Sequence, residues 1–288
     1  MKKIALLFLT IDNHDQPNIW NKFLKNNKYF NIYCHPKYPN KVTQPFLKKN
    51  IIKTISETSW GHLVLGYYNL LQAAIKNKDN YKFVYISNSC VPIKSAEVVY
   101  NELIVNNATY ADIRQRLTKW DIEHRYKKHS HLLDKYNITK FNFIKHSGWF
   151  VLNRQHTQVL LDHKDIFKYF NKIEAGDENI LSILKANQMK IQERIITCVK
   201  WDTHSYSKYV KEKEKLWKIY DSTDDKEKKR RIKKIIDKKK KEVIEKVSHP
   251  KCYAKITKND LNEFKNHNCL FVRKISSKCN IDLIYELI

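Results

Sequence analysis

Through residues 1–92, short apolar runs of strand length alternate with stretches of helical spacing, and this alternation restricts the fold more than any other feature of the chain. Residues 4–9 are unbroken apolar sequence, the pattern of a strand buried on both faces. Residues 17–24 place Ile19, Trp20, Phe23 and Leu24 on one side of a helix. Residues 29–34 read as a second strand ended by His35-Pro36, residues 51–55 as a third, residues 63–75 as a strongly amphipathic helix, and residues 83–86 as a further buried strand. The order β-α-β-β-α-β predicts an α/β fold with a mostly parallel sheet flanked by helices. Ligands of such sheets bind beyond the carboxyl ends of the strands. Those ends carry Thr10, His35 and the loop Ser87-Asn88-Ser89-Cys90-Val91-Pro92.

Four glycines in 288 residues leave no room for a G-x-G-x-x-G or Walker-type loop, which argues against a dinucleotide dehydrogenase or a P-loop ATPase. Phosphate, if bound, is therefore held by side chains. Asp12 and Asp15 are three apart, and Asp224-Asp225 lie in a charged segment, so no clustered oxygen ligands stand ready for a hard metal and none is expected. Lys+Arg number 55 against 30 Asp+Glu, a net +25 that predicts affinity for polyanions: nucleic acid, an anionic membrane or phosphorylated small molecules. Residues 211–246 alone hold 16 basic and 9 acidic residues. Their apolar positions recur at helical intervals, which predicts one or two long helices as a charged insertion over residues 206–247 of a single domain spanning 1–288.

The six cysteines are scattered with no C-x-x-C pair, which argues against zinc, and a chain of this length needs no disulfide framework, so the thiols are expected to be reduced. The N-terminal apolar run stops at Thr10-Ile11-Asp12 without a cleavage site, and no run approaches the ~20 apolar residues of a membrane span. The expectation is a soluble, cytoplasmic chain, and the composition fits a viral or microbial source.

The segment Ala175-Gly176-Asp177-Glu178-Asn179 sets two carboxylates after a glycine and before an apolar run of helical spacing. At a helix start one acid can cap backbone amides. The other is then free to face a crevice as a general base. The plainer alternative is that both acids only begin a helix.

The run Phe83-Val84-Tyr85-Ile86-Ser87-Asn88-Ser89-Cys90-Val91-Pro92 resembles the strand and loop of the core-2/I-branching β-1,6-N-acetylglucosaminyltransferase family, above all its plant-type branch, in which Ser-x-Ser-Cys-x-Pro recurs. Further short matches follow in order: Phe8-Leu9-Thr10 with Trp20, Ser59-Trp60-Gly61, Ser147-Gly148-Trp149-Phe150, Asp177-Glu178, Val199-Lys200-Trp201, His249-Pro250 and Leu270-Phe271-Val272-Arg273-Lys274. Their colinearity carries the resemblance.

The resemblance implies a GT-A-like, inverting, metal-independent glycosyltransferase without cofactor, which moves a sugar from a UDP-sugar to a hydroxyl of a glycan or glycoprotein. N-acetylglucosamine is the first candidate sugar, with xylose or glucuronic acid as others. By the same resemblance Glu178 is the catalytic base, and Lys274, with Lys251 and Arg273, grips the donor diphosphate. Thr10, His35, Trp60, Ser87 and Ser89 fall in the donor pocket, and Trp201, Arg125, Tyr126, Ser147, Gly148 and Asp177 face the acceptor. In an extended strand only one of Arg273 and Lys274 can point at a given spot, and Lys274 is the choice. Trp149 reads as core. The alternative from a different class is a non-catalytic polyanion-binding protein on a degenerate transferase scaffold, with no specific nucleic acid sequence implied.

Overall fold

The computed structural model describes residues 1–114, 117–201, 203–247 and 249–288. The first strands are β1 (Lys3–Thr10), β2 (Phe30–Pro36), β3 (Asn80–Ser87), β4 (Val91–Pro92), β5 (Thr109–Ala111), β6 (Ile113–Arg114) and β7 (Lys145–His146). They are followed by β8 (Val151–Asn153), β9 (Ile191–Glu193), β10 (Thr197–Val199), β11 (Tyr253–Lys255), β12 (Phe271–Arg273) and β13 (Ile275–Asn280). The helices are α1 (Pro17–Phe23), α2 (Pro45–Lys48), α3 (Val64–Ala74), α4 (Ala96–Ile104), α5 (Ser130–Leu133) and α6 (Arg154–Asp162). After them come α7 (Lys164–Phe170), α8 (Ser182–Ala186), α9 (Thr203–Asp221), α10 (Lys226–Val247), α11 (Lys258–Asn266) and α12 (Asp282–Tyr285).

Six strands form the central sheet in the order β2-β1-β3-β8-β5-β9. β1 runs parallel to β2 and β3, and β5 parallel to β9, while β8 is antiparallel to both of its neighbours. The unbroken apolar run of β1 follows from its central place. Ala5, Leu7 and Leu9 enter one buried cluster with Tyr67, Leu70 and Leu71 of α3 and Phe167 and Phe170 of α7. Ile4, Leu6 and Phe8 enter the other, with Trp20 and Phe23 of α1 and Val99 and Leu103 of α4. Both faces are covered, so no polar alternation is needed. The α/β, mostly parallel architecture is the expected one.

Residues 51–55 are not the expected strand. Ile51 makes a single bridge to Cys34 and the pairing goes no further along β2, while the Ser56 N–H beyond it bonds to the His35 ring (2.9 Å). The expectation of reduced thiols is also corrected, since Cys198 and Cys269 form a disulfide. A three-stranded sheet, β10-β12-β4, places their Cα atoms 5.9 Å apart although 71 positions separate them in sequence, so spacing carries no sign of the pairing. Cys34, Cys90 and Cys279 are free and buried, and Cys252 is free and exposed.

Residues 199–253 form a compact unit of their own, and residues 1–198 with 254–288 form the other. Within the smaller unit α9 packs on α10. Ile232 and Ile236 of α10, one helical turn apart, are buried, and Lys239 bonds to Glu212 of α9 at 2.7 Å. Most of the remaining α10 side chains that are described are exposed lysines and arginines. Among the described residues no helix is long and apolar enough to cross a membrane.

Candidate functional site

The two acids stand on a single 3-10 turn, Gly176–Glu178, not on the first turn of a helix, which begins only at Ser182. Neither acid makes a side-chain cap of that helix. The local geometry explains the difference. Ala175 adopts the left-handed conformation (φ 50°), and Gly176 lies so close to the end of α7 that a Cβ would come within 1.9 Å of the Phe170 carbonyl oxygen. The turn is tied down from three directions: the Ala175 N–H donates to the Gly61 carbonyl (2.9 Å), the Asn179 amide to the Ile144 carbonyl (2.8 Å), and the Leu181 N–H to the His146 Nε2 (3.2 Å). Burial pushes the His146 pKa down to about 4, so at neutral pH the ring is uncharged and can accept that bond.

The environments of the two carboxyls diverge. Asp177 is buried with Oδ1 unpartnered, and burial, then the charge of Glu178, raises its pKa to about 7. It sits beside Gly148, where an added Cβ would meet the Tyr67 hydroxyl at 3.2 Å and Asp177 Oδ2 at 3.4 Å. The Glu178 side chain is 32% exposed, and its Oε2 meets Arg125 Nη1 at 3.1 Å and Lys145 Nζ at 3.8 Å. The same two cations hold Asp121, 1% exposed, at 3.4 and 3.1 Å. Although burial pushes the Asp121 carboxyl upward, hydrogen bonds from Thr118 and the charge of Lys145 outweigh it and leave the pKa lowered. Arg125 reaches Glu178 from a π-helical segment, Asp121–Tyr126, a geometry that recurs at functional sites. Asp121 and Lys145 belong to this cluster and were not among the residues singled out from sequence. Nothing in their spacing from Glu178 signals the contact.

The cationic side begins where β12 ends. The Ile275 N–H donates to the Ser89 carbonyl (3.1 Å), which fastens Lys274 beside the loop after β3. There the charge of Lys274 acts on Asp15, whose carboxyl is raised by burial and hydrogen-bonded by the Asn88 amide. Arg273 lies over the Trp149 ring at 4.3 Å, and its Nε is buried without a partner. Trp149, which precedes β8, is half-buried and packs against the core as expected, while one side of its ring also carries the Arg273 cation. Tyr67 connects the two sides. Burial raises its hydroxyl far above the ordinary range, the negative charge of Asp177 raises it further, and the positive charge of Arg273 opposes both. That hydroxyl donates to the Gly148 carbonyl at 3.0 Å.

Other residues singled out from sequence are distributed as follows. Thr10, Ser87 and Ser89 are buried at the strand ends, where Thr10 Oγ1 donates to the Asp12 carbonyl (2.8 Å) and Ser87 Oγ lies 3.3 Å from Ser89 Oγ. His35 is wholly buried, so the side chain at this strand end serves packing and the Ser56 bond. Ser147 accepts from the Trp149 N–H, which shapes the wall next to Gly148. Trp60 is 71% exposed on the loop that Ala175 bonds to. Tyr126 turns to the core, its ring 5.4 Å from that of Phe143. Trp201, 40% exposed, and Lys251, with its ammonium over the Tyr253 ring, belong to the smaller unit. Among the described residues no group of three or more His, Cys, Asp or Glu is placed to hold a metal. An open depression of about 540 Å³ lies at the start of β3 beside Tyr81 and Arg154, away from the strand ends that carry these groups.

Residues 4–213 match the family model described as Core-2/I-Branching enzyme. The chain is 22% identical over 179 residues to Glycosyltransferase BC10 of Oryza sativa subsp. japonica. That match takes in 59% of this chain and 43% of the rice protein, so the chain spans less than half of its relative's length. Among solved structures, the galactosyltransferase LgtC, determined with donor and acceptor sugar analogues, is similar over 71% of this chain and 77% of its own, at 10% identity and a TM-score of 0.36. The protein A197 from STIV is similar over 54% and 67%, at 11% identity and a TM-score of 0.27.

Proposed function

The chain belongs to the core-2/I-branching enzyme family, and from that premise we propose that it is a glycosyltransferase which moves a sugar, N-acetylglucosamine first among the candidates, from a UDP-sugar to a glycan or glycoprotein hydroxyl with inversion and without a metal. The observation that carries this reading is the Glu178 carboxylate: partly exposed, paired with Arg125 and Lys145, and on a turn tied down from three directions. In the proposed reaction an acceptor hydroxyl attacks the anomeric carbon from the face opposite the diphosphate. The bond from that carbon to the phosphate oxygen breaks, its electron pair leaves with UDP, and Glu178 takes the hydroxyl proton. The negative charge that gathers on the diphosphate is met by Lys274 and Arg273, cations already in place before the bond breaks. Thr10, Ser87 and Ser89 shape the donor side, with Trp60 near the transferred sugar, and Gly148, Ser147 and Asp177 wall the acceptor side. Lys251 and Trp201 enter this scheme by resemblance alone, with the 206–247 segment as an insertion in one catalytic domain.

The test is a panel of nucleotide-sugars assayed for hydrolysis and transfer, with and without EDTA. One UDP-sugar should be consumed, EDTA should not slow it, and Glu178→Gln should lower kcat by about 10²- to 10⁴-fold. A chain that consumes none of them, or that is indifferent to Glu178→Gln, overturns the proposal.

A further inference from the structure

The family match ends at residue 213, so the whole of α10 lies outside it and the family's chemistry does not account for this helix. It holds 12 lysines and arginines against 4 acids. At 1.5 Å per residue it is about 33 Å long. Buried Ile232 and Ile236 mark the side that packs on α9, where Lys229 lies over the Tyr220 ring and Lys239 meets Glu212. Every other lysine and arginine from Lys226 to Lys241 is exposed. Lys226, Arg230, Lys234 and Lys238 follow one another at intervals of four, which makes them a continuous row along the helix. Like charges so spaced repel and weaken a helix, so a face that merely met water would alternate its signs along the row. Beside the row this does happen, where Glu227 pairs with Arg231 at 3.1 Å.

The composition of this face selects among the anions that could meet it. Ten of the 12 basic residues are lysine, a compact hydrated charge that responds to potential, whereas the planar fork of arginine is the group that reads phosphates and base edges in nucleic acid. Ile235, 44% exposed, stands between Arg231 four residues before it and Lys238 three after it. An isoleucine there gains nothing against a sugar-phosphate backbone. In the headgroup layer of a bilayer it leaves water, while the long lysine stems beside it hold their ammonium groups at the lipid phosphates. We propose that the outer face of α10 docks the chain on an anionic membrane surface, with Arg230, Lys234, Lys238 and Lys241 over acidic headgroups and Ile235 entering at their edge. Docking sets the row of like charges against opposite ones and relieves its repulsion. It needs neither Glu178 nor a nucleotide-sugar, so it stands apart from the transferase reading.

The experiment sediments the full chain with vesicles of phosphatidylcholine alone and of phosphatidylcholine with about 30% phosphatidylserine, at about 150 mM salt, and titrates it with duplex DNA in the same buffer. The expected result is binding to the serine-containing vesicles and not to phosphatidylcholine alone. Replacing Arg230, Lys234, Lys238 and Lys241 together by Gln should lower the partition coefficient on the order of a hundredfold. Removing as many charges at Lys25, Lys28, Lys48 and Lys49, all exposed outside α10, should lower it far less. Ile235→Ala should weaken vesicle binding roughly three- to tenfold and leave DNA binding unchanged. Gln and Ala both favour helix, and circular dichroism should show the α10 variants as helical as wild type. Equal binding to both kinds of vesicle, or to neither, overturns the proposal. So does an equal loss from the two sets of four charges, which would make net charge and not α10 the cause, or an Ile235→Ala chain that binds vesicles as wild type does. Duplex DNA held more tightly than the acidic vesicles at that salt assigns the face to nucleic acid and likewise overturns it.

Discussion

Adjacent acids on one turn acquire different chemistry because their surroundings differ. Asp177 is taken out of water with one oxygen unpartnered, whereas Glu178 reaches solvent between Arg125 and Lys145. The raised pKa of Asp177, about 7, has a thermodynamic consequence. Below about pH 4 the group is protonated in both folded and unfolded chains and contributes no difference. As pH rises toward 7 the unfolded chain loses this proton and the folded one retains it, so stability falls across that window. Asp177→Asn should remove the penalty. Denaturant unfolding should show the variant gaining stability over wild type at pH 7 by up to a few kcal/mol, with the gain vanishing near pH 4. A gain independent of pH would mean that the carboxyl is not protonated in the folded protein. At this scale the sequence was informative only in part. Gly176 before two acids reads as the start of a helix, whereas the 3-10 turn and the close approach to Phe170 that requires glycine are visible only in the fold. His35 shows the limit more sharply: nothing in His35-Pro36 says that the ring will be sealed under Ser56.

Elements carry these residues to one place. β1 and β3 run parallel and end side by side, which brings Thr10 and Ser87 together, and β12 pairs with β4 so that Arg273 and Lys274 arrive at the same edge. The Cys198–Cys269 disulfide ties β10 to the residues that enter β12, closing a loop of 71 positions. Loop-closure entropy for that length amounts to about 4 kcal/mol. Replacing both cysteines by serine, or reducing the bond, should therefore lower the unfolding free energy by roughly 2–5 kcal/mol. Thermal unfolding with and without reductant measures it directly, and an unchanged midpoint in the double-serine variant would show that the bond does not form. The first strand and α3 were legible as apolar runs because both faces of β1 and most of α3 are buried, so the strongly amphipathic helix read over residues 63–75 is in fact buried on most sides. The π-helical segment Asp121–Tyr126 was not legible, because its sequence, Asp-Ile-Glu-His-Arg-Tyr, has no period that separates it from an ordinary polar helix.

At the scale of the whole molecule the net charge of +25 raises the question of which anions the chain binds, and how selectively. The lysines and arginines of α10 are a surface that any polyanion can neutralise by releasing counterions, whereas the UDP site proposed above would combine phosphate cations with contacts to the base. Duplex DNA binding, measured by titration, should thus fall steeply between about 50 and 200 mM salt while UDP binding changes far less. Equal salt dependence for the two ligands would point to a single nonspecific cationic surface. Sequence alone determined the α/β architecture and the family, since both are written in local patterns and in motifs that keep their order along the chain, whereas the strand read at residues 51–55 is only a single bridge. Tertiary structure alone decided which charges meet: Asp121, Arg125 and Lys145 around Glu178, Arg273 on Trp149, and Cys198 bonded to Cys269. The physical reason is that electrostatic and stacking contacts depend on distance in space, and between residues far apart in the chain that distance is set by packing and not by any repeat a sequence can display.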